Sequence, residues 1–342
     1  MWKNAITTRL IFLTFGLISV QAEAARNRIV AFGVNGHSLS PGTYYRVSLE
    51  QQVTLLKALG LTIYRVNVNP TVPDKFARLS ELITIAQHQG IQIVPVVVIS
   101  AKNYSDENAA YRDAQASMYQ LARQFDNRIS VWELGNEYDL YCVKNDTDGA
   151  SPADYDPARY AVVRGLIKGM LDGLHKGSPS SQTIVQTSQH TSQHTSTALD
   201  SGFLQKLVEG GITFDITGYH YYSKDGHVPT TADGRNALEI LHDEFRRPIW
   251  ITEFDKSSSS RTVGPSANPK EQGIALAAAL NEIAADAEKY DIFGADIYEL
   301  LDEPELLHNP DVKPCEAQFG ILDSQGGFTA ASMAVQQFMR SY

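Results

Sequence analysis

Two glutamates stand at the ends of apolar runs that are otherwise suited to burial. In ISVWELGNEYDL, residues 129–140, a β-branched and aromatic segment breaks into polar groups at Asn136 and Glu137. In PIWITEF, residues 248–254, a second such run ends in an acid, Glu253. Residues of these types favour strands, and polar groups among them cost free energy inside a protein unless they are used. Two carboxyl groups on separate strand ends suit cleavage of a glycosidic bond, one as proton donor and the other as nucleophile or base. A helix cap or a surface salt bridge would explain either glutamate alone; it explains the pair poorly.

The elements that must position these residues alternate along the chain. Residues 28–35 read as a strand, and the apolar spacing of 46–59 predicts a helix that stops at Gly60. Strands at 61–68 and 91–99 follow, with a helix at 75–89 between them and another at 108–125. The Glu137 run is the fourth strand; a long polar loop, 138–156, separates it from a helix at 158–176. Strands at 183–188, from Phe214, at 248–254 and from Asp291 complete the set, with helices near 202–208, at 235–245, at 270–289 and at 329–339. Eight strands, each followed by a helix, predict an α/β fold of one domain, a single (β/α)8 TIM barrel over residues 25–342.

Active sites of such barrels form at the C-terminal strand ends, and the unusual polar residues fall there. Asn35 and His37 follow the first strand, Arg65 and Asn67 end the second, and Asn136 and Glu137 end the fourth. His190 and His194 follow the fifth, His220 and Tyr222 end the sixth, Glu253 ends the seventh, and Tyr298 and Glu299 end the eighth. Trp132 and Trp250 lie an odd number of residues before their glutamates, so alternation points them away from the glutamates' side, into packing. The spacing of His190 and His194 in a Ser/Thr-rich loop predicts a polar rim, not a metal pair. The acidic run at 302–305 reads as a solvated loop.

Composition narrows the partners. The chain has 342 residues, 43% of them hydrophobic, and a formal net charge of −10. Lys3 and Arg9 precede an apolar segment at 10–20, and Ala22-Glu23-Ala24 makes an A-x-A site, so residues 1–24 are expected to be a cleaved secretory signal. The mature chain would then be periplasmic or extracellular, with no membrane span. Its acidity argues against nucleic acid and against a strongly anionic saccharide. Cys142 and Cys315 are the two cysteines. A disulfide between them, contributing about 5 kcal/mol in the chain-entropy model, and two unpaired thiols are both open readings. No cofactor or metal is expected.

The sequence resembles the clan A retaining glycoside hydrolases, with similarity to families 39 and 5. The resemblance rests on Asn136-Glu137 in WELGNE, Glu253 in WITEF, Arg65 in YRVNV, the His220-x-Tyr222 pair in YHYY and the closing segment FGILDSQGGFTAAS. It implies that Glu137 is the acid/base and Glu253 the nucleophile of a double displacement; the enlarged loops suggest an oligo- or polysaccharide as the substrate. It further implies that Asn136 contacts the substrate 2-hydroxyl, that Arg65 supports the ionised Glu253, that Tyr222 donates to Glu253, and that His220 is a positioning residue. Asn35 and His37 are candidate sugar contacts. The chain departs from the pattern at the end of strand eight, where Ile297 and Tyr298 stand in place of a platform Trp, and in its enlarged loop after strand four. An inactive carbohydrate-binding barrel and a transglycosylase are the alternatives. A serine hydrolase lacks its G-x-S-x-G elbow here, and a nucleotide-dependent barrel lacks a glycine-rich phosphate loop.

Overall fold

The computed structural model describes residues 30–189, 199, 201–231, 233–256, 268–310, 312 and 314–342. The expected signal at 1–24 lies outside the described residues, as do His190 and His194. The strands are β1 (Ala31–Gly36), β2 (Ile63–Val68), β3 (Gln92–Val97), β4 (Val131–Leu134), β5 (Gln182–Ser188), β6 (Ile216–Ser223), β7 (Ile249–Lys256) and β8 (Ile292–Ile297). Each pairs in parallel with the next, and β8 pairs with β1, so the sheet closes on itself as the expected (β/α)8 barrel. The main helices are α1 (Leu49–Leu59), α2 (Phe76–Gln89), α3 (Glu107–Gln124), α4 (Pro157–Gly177), α5 (Ser201–Glu209), α6 (Ala237–Phe245), α7 (Pro269–Asp286) and α8 (Ala330–Ser341). Among the described residues no helix is long and apolar enough to cross a membrane.

Local chemistry sets the helix boundaries. The Ser48 side chain accepts from Gln51 N to start α1, and Gly60, at φ 84°, ends it. Only glycine adopts that conformation without strain. The helix expected at 46–59 begins at Leu49, and Thr43–Arg46 forms a separate helical turn before it. The loop after β4 contains a short helix, Tyr138–Cys142, and a 3-10 turn at Pro152–Asp154, joined by a bridge between Val143 and Tyr155.

The helices flanking β4 are packed with unusual closeness. Gly165, Gly169, Gly173 and Gly177 recur every fourth residue on α4, and a Cβ on Gly169 would stand 2.4 Å from the Tyr111 carbonyl oxygen on α3. Each interior glycine costs a helix about 1 kcal/mol relative to alanine. Here that cost is offset by backbone-to-backbone packing that fixes the two connections of the Glu137 strand.

Inside the barrel, Ile63, Val94, Val131, Ile184, Ile216 and Trp250 form an apolar plug, distinct from the larger core between strands and helices. One inward step further along, β2, β4 and β5 present Arg65, Glu133 and Gln186, all buried. The floor of the site is therefore apolar and its first storey is charged. On β7 the step takes three residues: Tyr219 pairs with Ile251 and His220 with Glu253, leaving Thr252 as an extra residue. This bulge turns Glu253 to the same side as Trp250, which corrects the expectation that Trp250 points away from it. Trp132 does pack outward, in the larger core.

Candidate active site

Arg65 is the hub of the charged storey. It is 1% exposed, and all three of its nitrogens are engaged. Nε and Nη2 donate to the two oxygens of Glu133, at 2.5 and 3.0 Å. Nη1 donates to Glu253 Oε1 at 2.7 Å and to Asn35 Oδ1, and Nη2 also donates to Asn136 Oδ1 at 3.1 Å. A guanidinium is a rigid fork of donors that cannot lose its proton in a protein, so it holds two carboxylates at fixed angles. Glu133 is held below the usual carboxylate range: burial would raise it, but Arg65 and His220 outweigh that.

His220 joins the glutamates. Its Nδ1 lies 3.3 Å from Glu137 Oε1 and 3.5 Å from Glu253 Oε2, and its Nε2 lies 3.6 Å from Glu133 Oε1. Burial alone would lower its pKa, but the charge of Glu253 and the bonds to Glu133 and Glu137 lift it to about 10. The ring is thus an imidazolium at neutral pH. Tyr222 donates to Glu253 Oε2 at 2.6 Å, so both oxygens of Glu253 accept hydrogen bonds.

The two glutamates differ in exposure. The Glu253 side chain is 7% exposed and that of Glu137 is 35%. Glu137 adopts φ 50°, ψ 39°, a left-handed conformation uncommon for a residue with a Cβ. One oxygen of each, with a ring nitrogen of His220, lie within 4.8 Å of one another.

A second cluster occupies the β1/β8 rim. His37 Nδ1 lies 2.6 Å from Glu303 and 3.4 Å from Glu299, whose Oε2 accepts from Tyr44 at 2.9 Å. Burial would lower His37, but Glu299 and Glu303 lift it to about 9. Glu299 is pushed well above the usual range by burial, with His37 opposing. Both clusters bring ligand-type atoms close enough for a cation. In each, the imidazole Nδ1 lies within ion-pairing distance of the carboxylates.

The remaining expectations divide. Asn35 is not at the cleft: it is 3% exposed, its oxygen accepts from Arg65, and its amide nitrogen donates to the Thr252 and Ile297 carbonyls. It is a brace for Arg65, and sugar contact is corrected to that. Tyr298 is half-buried, with its ring edge-on to His37, Tyr222 and Phe319. Glu303 is 5% exposed, so the acidic run is not a solvated loop at that residue. Cys142 and Cys315 are both free thiols. Cys142 is sealed in the core at the end of the short helix after β4, whereas Cys315 lies half-buried in the segment after β8.

Four buried acids were missed. Glu133 and Asp296 each sit alone inside an apolar strand, where one charged residue reads as ordinary alternation. Opposite charges inside two apolar strands, Arg65 in IYRVNV and Glu133 in VWEL, were the available signal. Asp296 accepts from the Trp250 indole at 2.8 Å, and burial lifts it to about 8. Asp139 accepts from Ser188 N at 2.5 Å and is lifted to about 6 by burial and by Glu137. Asp255, beyond Glu253 on β7, accepts from Gln272 at 2.8 Å.

No family model and no curated protein matches the sequence. Solved structures do. A family 39 glycoside hydrolase from the gut symbiont Bacteroides cellulosilyticus WH2 superposes with a TM-score of 0.63 at 16% identity, covering 91% of this chain. The chain spans only 64% of that longer protein. The beta-glucosidase from Thermotoga maritima in complex with glucoimidazole gives 0.64 at 13% identity, over 91% of this chain and 97% of that one. The same enzyme in complex with deoxynojirimycin gives 0.65 at 12%. The chain shares their barrel.

Proposed function

We propose that this chain is a retaining glycoside hydrolase that cleaves O-glycosidic bonds of an oligo- or polysaccharide, with Glu253 as nucleophile and Glu137 as acid/base. The observation that carries this reading is the spacing of the two carboxyl groups, whose facing oxygens lie within 4.8 Å. Retaining enzymes place these groups roughly 5 to 5.5 Å apart, whereas inverting enzymes leave about 6.5 to 9.5 Å for an intervening water. The shared barrel with a family 39 glycoside hydrolase and a beta-glucosidase supports it.

In the first step Glu253 attacks the anomeric carbon while Glu137 gives its proton to the departing glycosidic oxygen. The bond from carbon to the leaving oxygen breaks as the bond to Glu253 forms. In the second step Glu137, now a carboxylate, takes a proton from water, whose oxygen attacks the same carbon and releases Glu253. Arg65 and Tyr222 fix the Glu253 rotamer through both its oxygens. Asn136, whose oxygen is taken by Arg65, keeps its amide nitrogen to donate to the sugar 2-hydroxyl. The exposure of Glu137 suits a group that must meet a leaving group and then water. The acidic balance of the whole chain, a formal net charge of −10, suits a neutral saccharide.

The test is the stereochemistry of the first product. Proton NMR of the anomeric signal, recorded before mutarotation on a panel of aryl glycosides and oligosaccharides, should show the substrate's configuration kept. An inverted first product would overturn the reading.

A further inference from the structure

Glu133 has no part in the two steps above and cannot reach substrate, being fully buried. Its two oxygens accept from one edge of Arg65, and its Oε1 lies 3.6 Å from His220 Nε2. Besides its bonds to Asn35 and Asn136, Arg65 donates from Nη1 to Glu253 at 2.7 Å, and His220 Nδ1 lies within 3.3 Å of Glu137 and 3.5 Å of Glu253. Glu133 thus touches both of the cations that touch the two glutamates. We propose that Glu133 is a positioning residue, an anchor that fixes the inner edges of Arg65 and His220 and so sets where their remaining donors meet Glu253 and Glu137. The proposal rests on the assignment of those two glutamates made above.

Charge sharpens the geometry. Facing His220 are Arg65 from β2, Glu133 and Glu137 from β4 and the loop after it, and Glu253 from β7; Tyr222 shares its strand. Asp139 stands behind Glu137, and Asp296 on β8 acts on Arg65. Without the Glu133 charge, two buried cations would face each other at 3.4 Å with Glu253 as their main counter-charge. A guanidinium keeps its proton, so the imidazole must respond, by losing its proton or by moving away. Either response alters the hydrogen bonding of the reacting pair.

The experiment compares Glu133→Gln and Glu133→Asp in the full chain. Three quantities are read: the titration of His220 by nitrogen-15 NMR, assigned by its loss in His220→Gln; kcat and KM on an aryl glycoside as a function of pH; and the melting temperature. In Glu133→Gln the His220 midpoint should fall by about one pH unit or more, with the profile of kcat shifting alongside it. Its kcat should drop on the order of 10²-fold with KM little changed, the signature of a displaced catalytic pair. Glu133→Asp keeps the charge but withdraws it by one methylene, so the titration should return towards that of the unmodified chain while kcat stays reduced. A His220 titration unchanged in Glu133→Gln, or a lower melting temperature with unaltered kcat and pH profile, would overturn the proposal. If Glu133→Gln does not fold, unaltered kcat in Glu133→Asp would do so. The NMR arm needs no turnover: a chain whose His220 shifts but which cleaves no glycoside keeps the anchor and loses only the reading of the activity.

Discussion

Two clusters at the barrel mouth contain the same groups, one histidine and two glutamates within 4.8 Å, yet they are built for different work. In the β4/β6/β7 cluster, Arg65 adds a second cation and Glu137 faces outward with a third of its side chain exposed. In the β1/β8 cluster, His37 is paired with Glu303, and Glu299 is wholly buried beneath Tyr44. Backbone bonds from Glu303 N to the Ala317 carbonyl and from Glu299 N to the Phe319 carbonyl tie that cluster to the segment after β8. Composition is shared, so it does not set the two apart. On the proposed assignment, a fixed counter-charge for one carboxylate and an open path to the other do.

Breaking the first cluster should cost the most. Glu253→Gln, nearly isosteric, is expected to lower kcat on aryl glycosides on the order of 10⁴-fold or more, because it removes the proposed nucleophile and not just its surroundings. Glu137→Ala should cost about 10²- to 10⁴-fold on poor leaving groups, the usual range for general acid catalysis. It should still form the covalent intermediate from a reactive aryl glycoside, seen as a burst of phenol followed by slow turnover. Unaltered steady-state rates in either variant would remove the distinction between the clusters.

The second cluster should answer in stability. Its histidine has a folded pKa of about 9 against an ordinary 6.5, so its contribution is fully present below pH 6.5 and is lost as pH rises through 9. His220, at about 10, acts in the same direction. The melting temperature should therefore decline above pH 6.5, and His37→Gln should make that decline shallower between pH 6.5 and 9; an unchanged slope would contradict the pairing. The smallest effect belongs to Glu299→Gln. Glutamine keeps the acceptor for Tyr44, and Glu303 at 2.6 Å remains as the near partner of His37, so the melting temperature at neutral pH should move little.

The barrel was legible because each strand is a short apolar run ending in polar residues and several helices stop at a glycine. Glu137 and Glu253 were legible as candidates because they interrupt apolar runs at the C-terminal strand ends. What stayed hidden depends on contacts distant in sequence. Asn35 sits at a strand end, as a sugar contact would, but its amide is consumed by Arg65, Thr252 and Ile297. Trp250 is turned by a bulge that leaves no mark in a period-two pattern. Glu303 belongs to an acidic run that resembles solvated loop until the later segment folds back over it. Glu133 was hidden for the opposite reason: a single acid in a strand looks ordinary until the guanidinium across the barrel is seen.

Whether Glu253 attacks and Glu137 serves it is decided by trapping the intermediate. The full chain would be incubated with a panel of 2-deoxy-2-fluoro glycosides bearing reactive leaving groups, digested, and mapped by mass spectrometry. One added glycosyl mass is expected on the peptide containing Glu253, absent in Glu253→Gln and still formed in Glu137→Ala. A label on any other residue, or turnover of the parent glycosides with no label from their fluoro analogues, would contradict it.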